Sequence, residues 1–365
     1  MRVEFVSPYN HSPQTGIGRY VHTLMKRLRQ EVDVSIGEPR FLPLTNRFSS
    51  MRNLPVGIKN HVQGSIVHFP QIMGCAMMLW RPYYPSVATV HDLGVLELPE
   101  EWEMLDLIAR QLLRASLTGL KRVDLIVADS EFTRQGVIKH LNIPPERVVT
   151  IYPGIDHKVF HPIENARRKL LQRYPELQPH AASPWLLYVG SELPRKNVGT
   201  LLRALALLQR AIPDVRLLKV GSAGGDVYRR KTLRVVKGLG LDGHIIFFDQ
   251  VPEQDLPIFY SAVDLFVTAS KLEGFGFPVL EAMACGTPVV CSSTTALAEI
   301  AGGAAILVEP EDHLSLYKSI RDGLLDEPLS MTLKQKGISR ASEFDWEITP
   351  RLLLDVYIRT MKINQ

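Results

Sequence analysis

Cysteine is scarce in this 365-residue chain: Cys75, Cys285 and Cys291 are all it has. They form no Cys-x-x-Cys pair and three cannot all pair with one another, so a disulfide framework is not indicated and a reducing cytoplasm is the simplest setting. Long apolar runs are missing as well, none approaching the roughly 18 residues of a membrane span. The chain enters a strand-like segment at once, Val3-Glu-Phe-Val-Ser-Pro8, so a signal peptide is not expected. There is no Lys/Arg run and no basic patch interleaved with aromatics, and the net charge of +4 is mild, so nucleic acid is not an expected partner. One stretch, Pro39 to His91, contains no Asp or Glu at all.

What is present reads as two α/β domains. The length exceeds what one core comfortably holds. Short apolar runs bounded by polar residues recur at 33–37, 65–70, 86–92, 124–130 and 148–154, then at 185–190, 215–221, 244–250, 264–270, 288–293 and 304–309. Helical patterns lie between many of them, notably 102–120, 131–141 and 198–211, and this alternation predicts doubly wound parallel sheets. The segment 161–183, with a polar helix at 164–173 and prolines at 175 and 179, reads as the linker. The expected domains are therefore 1–162 and 183–345, with a terminal helix at about 346–365.

The chain is organised around Ser270-Lys-Leu-Glu273-Gly-Phe-Gly-Phe-Pro278-Val-Leu-Glu281-Ala-Met-Ala-Cys-Gly286-Thr-Pro-Val-Val. A strand leads into the turn Gly274-Phe275-Gly276. Pro278 suits the start of a helix, and Gly286 suits its end. Glu273 then lies at the carboxyl end of a strand and Glu281 in the first turns of the helix, where open α/β sheets bind ligands. Two carboxylates beside a helix N-terminus suit a ligand that offers hydroxyls and an anion together. Upstream, Arg195-Lys196-Asn197 follows the strand 185–190; two cations next to a helix start make an anion site, and Asn197 is placed to cap that helix. Gly190, the glycine-rich Gly221-Ser-Ala-Gly-Gly225, and Gln250-Val251-Pro252 fall at neighbouring strand ends. In the first half, Gly16-x-Gly18 opens a helix after the first strand, without the third glycine of a dinucleotide fingerprint. His91-Asp92 ends another strand, and Asp129-Ser-Glu131 the next, with Ser130 placed as a helix cap.

Glu-x7-Glu followed by Ala-Met-Ala-x-Gly-x-Pro-Val-Val closely resembles the signature of the retaining glycosyltransferases of family 4, which have the GT-B fold; the resemblance covers most of the chain and is thinnest from 39 to 85. It implies two Rossmann-like domains facing a central cleft, with a C-terminal helix crossing back to the first. It further implies transfer of a hexose from a nucleoside diphosphate sugar to a glycan or glycolipid acceptor. Glu273 and His91 would face the donor sugar, Arg195 and Lys196 would hold the diphosphate, and Glu281 would bind the ribose. Gly16, Gly18, Gly190, Gly221, Val251, Gly274, Phe275 and Gly276 would line the donor pocket. No Asp-x-Asp triplet occurs, so neither a metal-bridged diphosphate nor any other cofactor is expected. Family members build bacterial polysaccharides on lipid carriers, and mannose from GDP-mannose is the first expectation. The alternatives are a sugar-nucleotide epimerase of similar architecture or a non-catalytic sugar-nucleotide-binding subunit. The acid-free stretch carries Arg40, Arg47, Arg52, Lys59 and Arg81 among Phe41, Leu44, Phe48, Leu54 and Met77-Met-Leu-Trp80-Arg-Pro-Tyr-Tyr84. Basic and apolar residues so mixed suit peripheral contact with an anionic leaflet.

Overall fold

The structure, a computed structural model, describes residues 1–7, 16–43 and 53–364. It divides into two compact units: Met1–Gly154 with Trp346–Gln365, and Ile155–Asp345.

The first unit holds a seven-stranded sheet made of β1 (Arg2–Val6), β2 (Asp33–Pro43), β3 (Asn53–Lys59), β4 (Ile66–Phe69), β5 (Ser86–Val90), β6 (Leu125–Ala128) and β7 (Val148–Thr150), in the order β3-β2-β1-β4-β5-β6-β7. All neighbours are parallel except β2 and β3. The antiparallel β3, and the extension of β2 to Pro43, are not legible in the sequence: Pro39, Pro43 and Pro55 argue against strand, yet β3 is the edge strand and β2 beyond Gly37 pairs with β3 alone, so proline is tolerated where no ladder N–H is needed. A single helix expected at 102–120 is two, Pro99–Glu103 and Leu107–Leu120, because the Asp106 side chain accepts from the Ala109 N–H at 2.8 Å and starts a new helix there. Ser130 caps Glu131–Leu141 as expected, accepting from the Thr133 N–H at 3.1 Å. Side chains alternate between the two faces of β6. Ile126 and Ala128 enter one core with Val67, Phe69 and Leu117, while Leu125 and Val127 enter the other with Val3, Phe5 and Leu24. The C-terminal helix Ile348–Ile363 belongs to this unit, placing Leu353, Val356 and Tyr357 in that second core.

The second unit is a six-stranded parallel sheet of β8 (Trp185–Val189), β9 (Arg216–Val220), β10 (Ile245–Phe248), β11 (Leu265–Val267), β12 (Val289–Ser292) and β13 (Ile306–Val308). The order β10-β9-β8-β11-β12-β13 reads, from the first strand of the unit, 3-2-1-4-5-6. The order in which strands are added therefore reverses between the parallel neighbours β8 and β11, and a crevice opens at the carboxyl ends of that pair. Leu187 packs toward Phe266 and Leu280 on one face, Leu186 and Tyr188 toward Leu201 and Leu205 on the other. The stretch 161–183 is not a free linker. Ala166, Leu170 and Leu177 are buried in the core of this unit, because the helix Ala166–Arg173 lays its apolar side on Leu256–Ala262. The boundary expected at 162–183 therefore moves to Gly154–Ile155.

Candidate functional site

The reversal between β8 and β11 is where the second unit gathers its charge. After β8 the chain passes Gly190 and makes one 3-10 turn, Pro194–Lys196, before the helix Val198–Ala211. After β11 it runs through Ser270 to Glu273. The Lys196 ammonium reaches both oxygens of Glu273, at 2.6 and 2.8 Å, and the Arg195 guanidinium lies 3.7 Å from one of them. Backbone ties hold the two loops in register: Lys271 N–H donates to the Arg195 carbonyl at 2.8 Å. Asn197 does not cap the helix as expected. Its backbone is left-handed at φ 52°, and its amide instead donates to the Ala269 carbonyl at 3.0 Å and to Pro310, binding three strand ends together. Burial alone would raise the Glu273 carboxyl, but Lys196 and Arg195 outweigh it and hold it below the ordinary carboxylate range. Ser270, fully buried, adds a hydrogen bond to the same group.

Glu281 sits apart from that cluster. It projects from the helix Phe277–Ala284, is only 2% exposed, and accepts from the Tyr260 hydroxyl at 2.7 Å. The turn between the two glutamates is tightly built: Gly276 has φ 108°, and a Cβ there would stand 2.6 Å from Leu297. Gly274 lies on the same turn. Phe275, expected in the donor pocket, is 4% exposed and packs edge-on against Phe277 and Phe344 in the core, so only its backbone is available to a ligand. Gly190 and Gly221 abut; a Cβ on Gly221 would meet the Gly190 carbonyl oxygen at 3.0 Å. Val251 is half-buried at the end of β10, against the same core as Phe275.

In the first unit, Gly16 and Gly18 open the helix Gly16–Leu28, Gly18 buried; the turn from Tyr9 to Thr15 lies outside the described residues. His91 follows β5. Its Nδ1 is 2.5 Å from an Asp129 carboxylate oxygen and its Nε2 2.8 Å from the Pro70 carbonyl. Both partners can accept, an arrangement that favours a proton on each ring nitrogen. Burial opposes that charge, but Asp129, Pro70 and Asp92 overcome it and raise the His91 pKa. Tyr20 packs edge-on to the ring, at 5.0 Å between centroids. Sequence reasoning noted Asp129 only as part of a polar turn. The sheet order, β5 beside β6, is what makes it the partner of His91.

Of the basic and apolar residues expected at a membrane, Arg40, Phe41, Trp80, Arg81 and Tyr84 are exposed. Met77, Met78 and Tyr83 are core, because the short helix Ile72–Leu79 packs on Leu107–Leu120. Lys59 pairs with Glu38 at 3.3 Å. Leu44, Arg47, Phe48 and Arg52 lie outside the described residues. Among the described residues no helix is long and apolar enough to cross a membrane.

Residues 14–159 match the family model described as Glycosyltransferase Family 4, and residues 175–340 that described as Glycosyl transferases group 1. The O-antigen chain mannosyltransferase B of Escherichia coli is 28% identical over 394 aligned residues, covering 98% of this chain and 99% of the relative. The serotype-specific mannosyltransferase WbdA of Escherichia coli is 29% identical over 77% of this chain, which spans 34% of that longer protein. Among solved structures, a sucrose-phosphate synthase from Thermosynechococcus elongatus superposes with a TM-score of 0.78 at 23% identity, covering 99% of each chain.

Proposed function

The chain belongs to glycosyltransferase family 4, with the GT-B fold, and on that premise we propose that it transfers mannose from GDP-mannose to a sugar hydroxyl of a lipid-linked polysaccharide precursor, with the anomeric configuration retained. The observation that carries the reading is the Arg195–Lys196–Glu273 cluster at the strand-order reversal of the second unit. The leaving group of such a reaction is a nucleoside diphosphate, whose charge grows as the glycosidic bond breaks. Fixed cations stabilise the growing charge more than the ground state. Glu273, held ionised by the same cations, is proposed to bind the donor sugar, and Glu281 the nucleotide ribose. His91, its pKa raised by Asp129, Pro70 and Asp92, is proposed to act at the donor sugar. Arg195 and Lys196 take the role a divalent metal would otherwise fill. The choice of mannose and of a lipid-linked acceptor is supported by the two mannosyltransferase relatives, one named for the O-antigen chain.

The test is a binding and transfer series. GDP should raise the melting temperature more than UDP or ADP, since a ligand that binds only the folded state stabilises it by mass action. NMR of the product from GDP-mannose should show an α-linked sugar. Preference for another nucleotide would change the donor, and an inverted product would remove the retaining assignment. Peripheral membrane contact through 39–91 is proposed for the acceptor side. Flotation with anionic but not neutral vesicles, lost in an Arg40, Arg47 and Arg52 to Ser variant, checks it. Equal, negligible flotation with both vesicle types rejects it.

A further inference from the structure

Lysine is almost never fully buried unless paired, yet Lys219 stands in the middle of an apolar strand, Leu217-Leu-Lys-Val220, with 1% of its side chain exposed. Its ammonium has three donors and three acceptors. Glu192 Oε1 is 3.1 Å away, the Ser222 carbonyl 3.2 Å, and the Gly221 carbonyl completes the set. Glu192 is itself fully buried and also accepts from Arg229, whose Nε lies 3.0 Å away; Arg229 goes on to pair with Asp249 after β10. The network thus ties together the loops that follow β8, β9 and β10. Burial lowers the Lys219 pKa, and Glu192 pushes back.

The consequence lies in the backbone. A peptide unit is planar and trans, so its C=O and N–H point in opposite directions. With the carbonyls of Gly221 and Ser222 turned inward to the ammonium, the N–H groups of Ser222 and Ala223 point outward, to the side where Ser222 and Gly224 are exposed. Neither N–H donates to any group among the described residues. Gly221 at φ 110° and Gly224 at φ 82° allow the chain to turn so sharply. The Ala223 carbonyl meanwhile accepts from the Glu192 N–H at 3.0 Å, anchoring this turn to the loop that carries Arg195 and Lys196. Successive N–H groups on one side of a turn form a concavity for an anion. We propose that Lys219 is a positioning residue that builds a phosphate-binding turn from the N–H groups of Ser222 and Ala223, and that the turn takes an oxygen of a nucleoside diphosphate. The ligand class rests on the donor reading above.

Calorimetric titration of the whole protein with GDP, inorganic pyrophosphate and guanosine separates the possibilities. Lys219→Met, which keeps the length of the side chain and removes its charge, should weaken GDP and pyrophosphate about tenfold and leave guanosine unchanged. The donor KM should rise in proportion, with a smaller fall in kcat, since the diphosphate that the turn holds gains charge as it leaves. Ser222→Pro deletes one of the two donors while leaving Lys219 in place. It should match that loss, and the double variant should lose little more than either single one. Equal loss of guanosine and GDP would mean general loosening and overturn the proposal. Unchanged GDP affinity in folded Lys219→Met would also overturn it, as would unchanged affinity in Ser222→Pro should Lys219→Met not fold. A parent protein that binds no nucleoside diphosphate would instead refute the donor reading itself.

Discussion

Both units end a buried strand with a basic side chain held against a carboxylate, but the two pairs are built from different chemistry. In the first, His91 has two N–H groups, and Asp129 and Pro70 accept both of them. In the second, Lys196 has three donors and gives its closest bonds to the two oxygens of Glu273, with Arg195 standing alongside. An ordinary imidazole titrates near the physiological range, and Asp129, Pro70 and Asp92 raise the His91 pKa against the effect of burial. Two basic side chains stand beside one carboxylate in the second unit, and the basicity of His91 in the first depends on Asp129. One cluster stands at a strand-order reversal; the other draws its basicity from its neighbours.

The largest way to break the comparison is to remove the permanent cations. Arg195→Ala or Lys196→Ala should weaken nucleoside diphosphate binding and lower turnover as well, by tenfold to a hundredfold each, given about 1.5–3 kcal/mol for a charge-assisted contact. Steady-state kinetics and calorimetry measure both effects, and unchanged values in both variants would take the pair out of the site. Next in size is the split between the two glutamates. Glu273→Gln should chiefly lower kcat while leaving nucleotide affinity within severalfold. Glu281→Ala should chiefly cost nucleotide affinity, and the reverse pattern would exchange their roles.

A smaller effect sharpens the contrast by pH. Because the folded pKa of His91 is raised, its charge stabilises the protein fully below the unfolded value of about 6.5 and is lost as pH rises through the folded value. Asp129→Asn should therefore lower the melting temperature more at pH 6 than at pH 9, and shift the alkaline limb of the rate profile to lower pH. Arg195→Ala should leave the position of that limb alone. Glu273, depressed by its cations, behaves with the opposite sign: its stabilisation is present above the ordinary carboxylate range and fades as pH falls through the folded value. The smallest expected effect is none: activity should persist in excess chelator, and loss rescued by magnesium or manganese would contradict the proposed role of the cations.

Much of this protein is legible in one dimension. Parallel strands buried on both faces appear as short apolar runs, and helix starts and stops follow local rules at Ser130, Pro278 and Gly286, because capping and proline geometry act within a few residues. The Arg195-Lys196 pair and the Glu273–Glu281 spacing are also local, each lying on one strand-end loop or the helix after it. The sequence determined, by itself, the α/β class, the two-domain division and the residues most worth testing. What it could not determine is adjacency across the sheet. The pairing of Lys196 with Glu273 across 77 positions follows from β8 lying beside β11; Asp129 becomes the partner of His91 because β6 lies beside β5. The only trace of the Lys219 network in the sequence is a lone charge in an apolar run, and nothing local says that Glu192 will meet it. Nor does local pattern place residues 155–183, whose apolar positions were too few to be read as core until the second sheet supplied the surface they cover. Strand order is set by long-range packing, and where strands meet is where this chain brings its charges together.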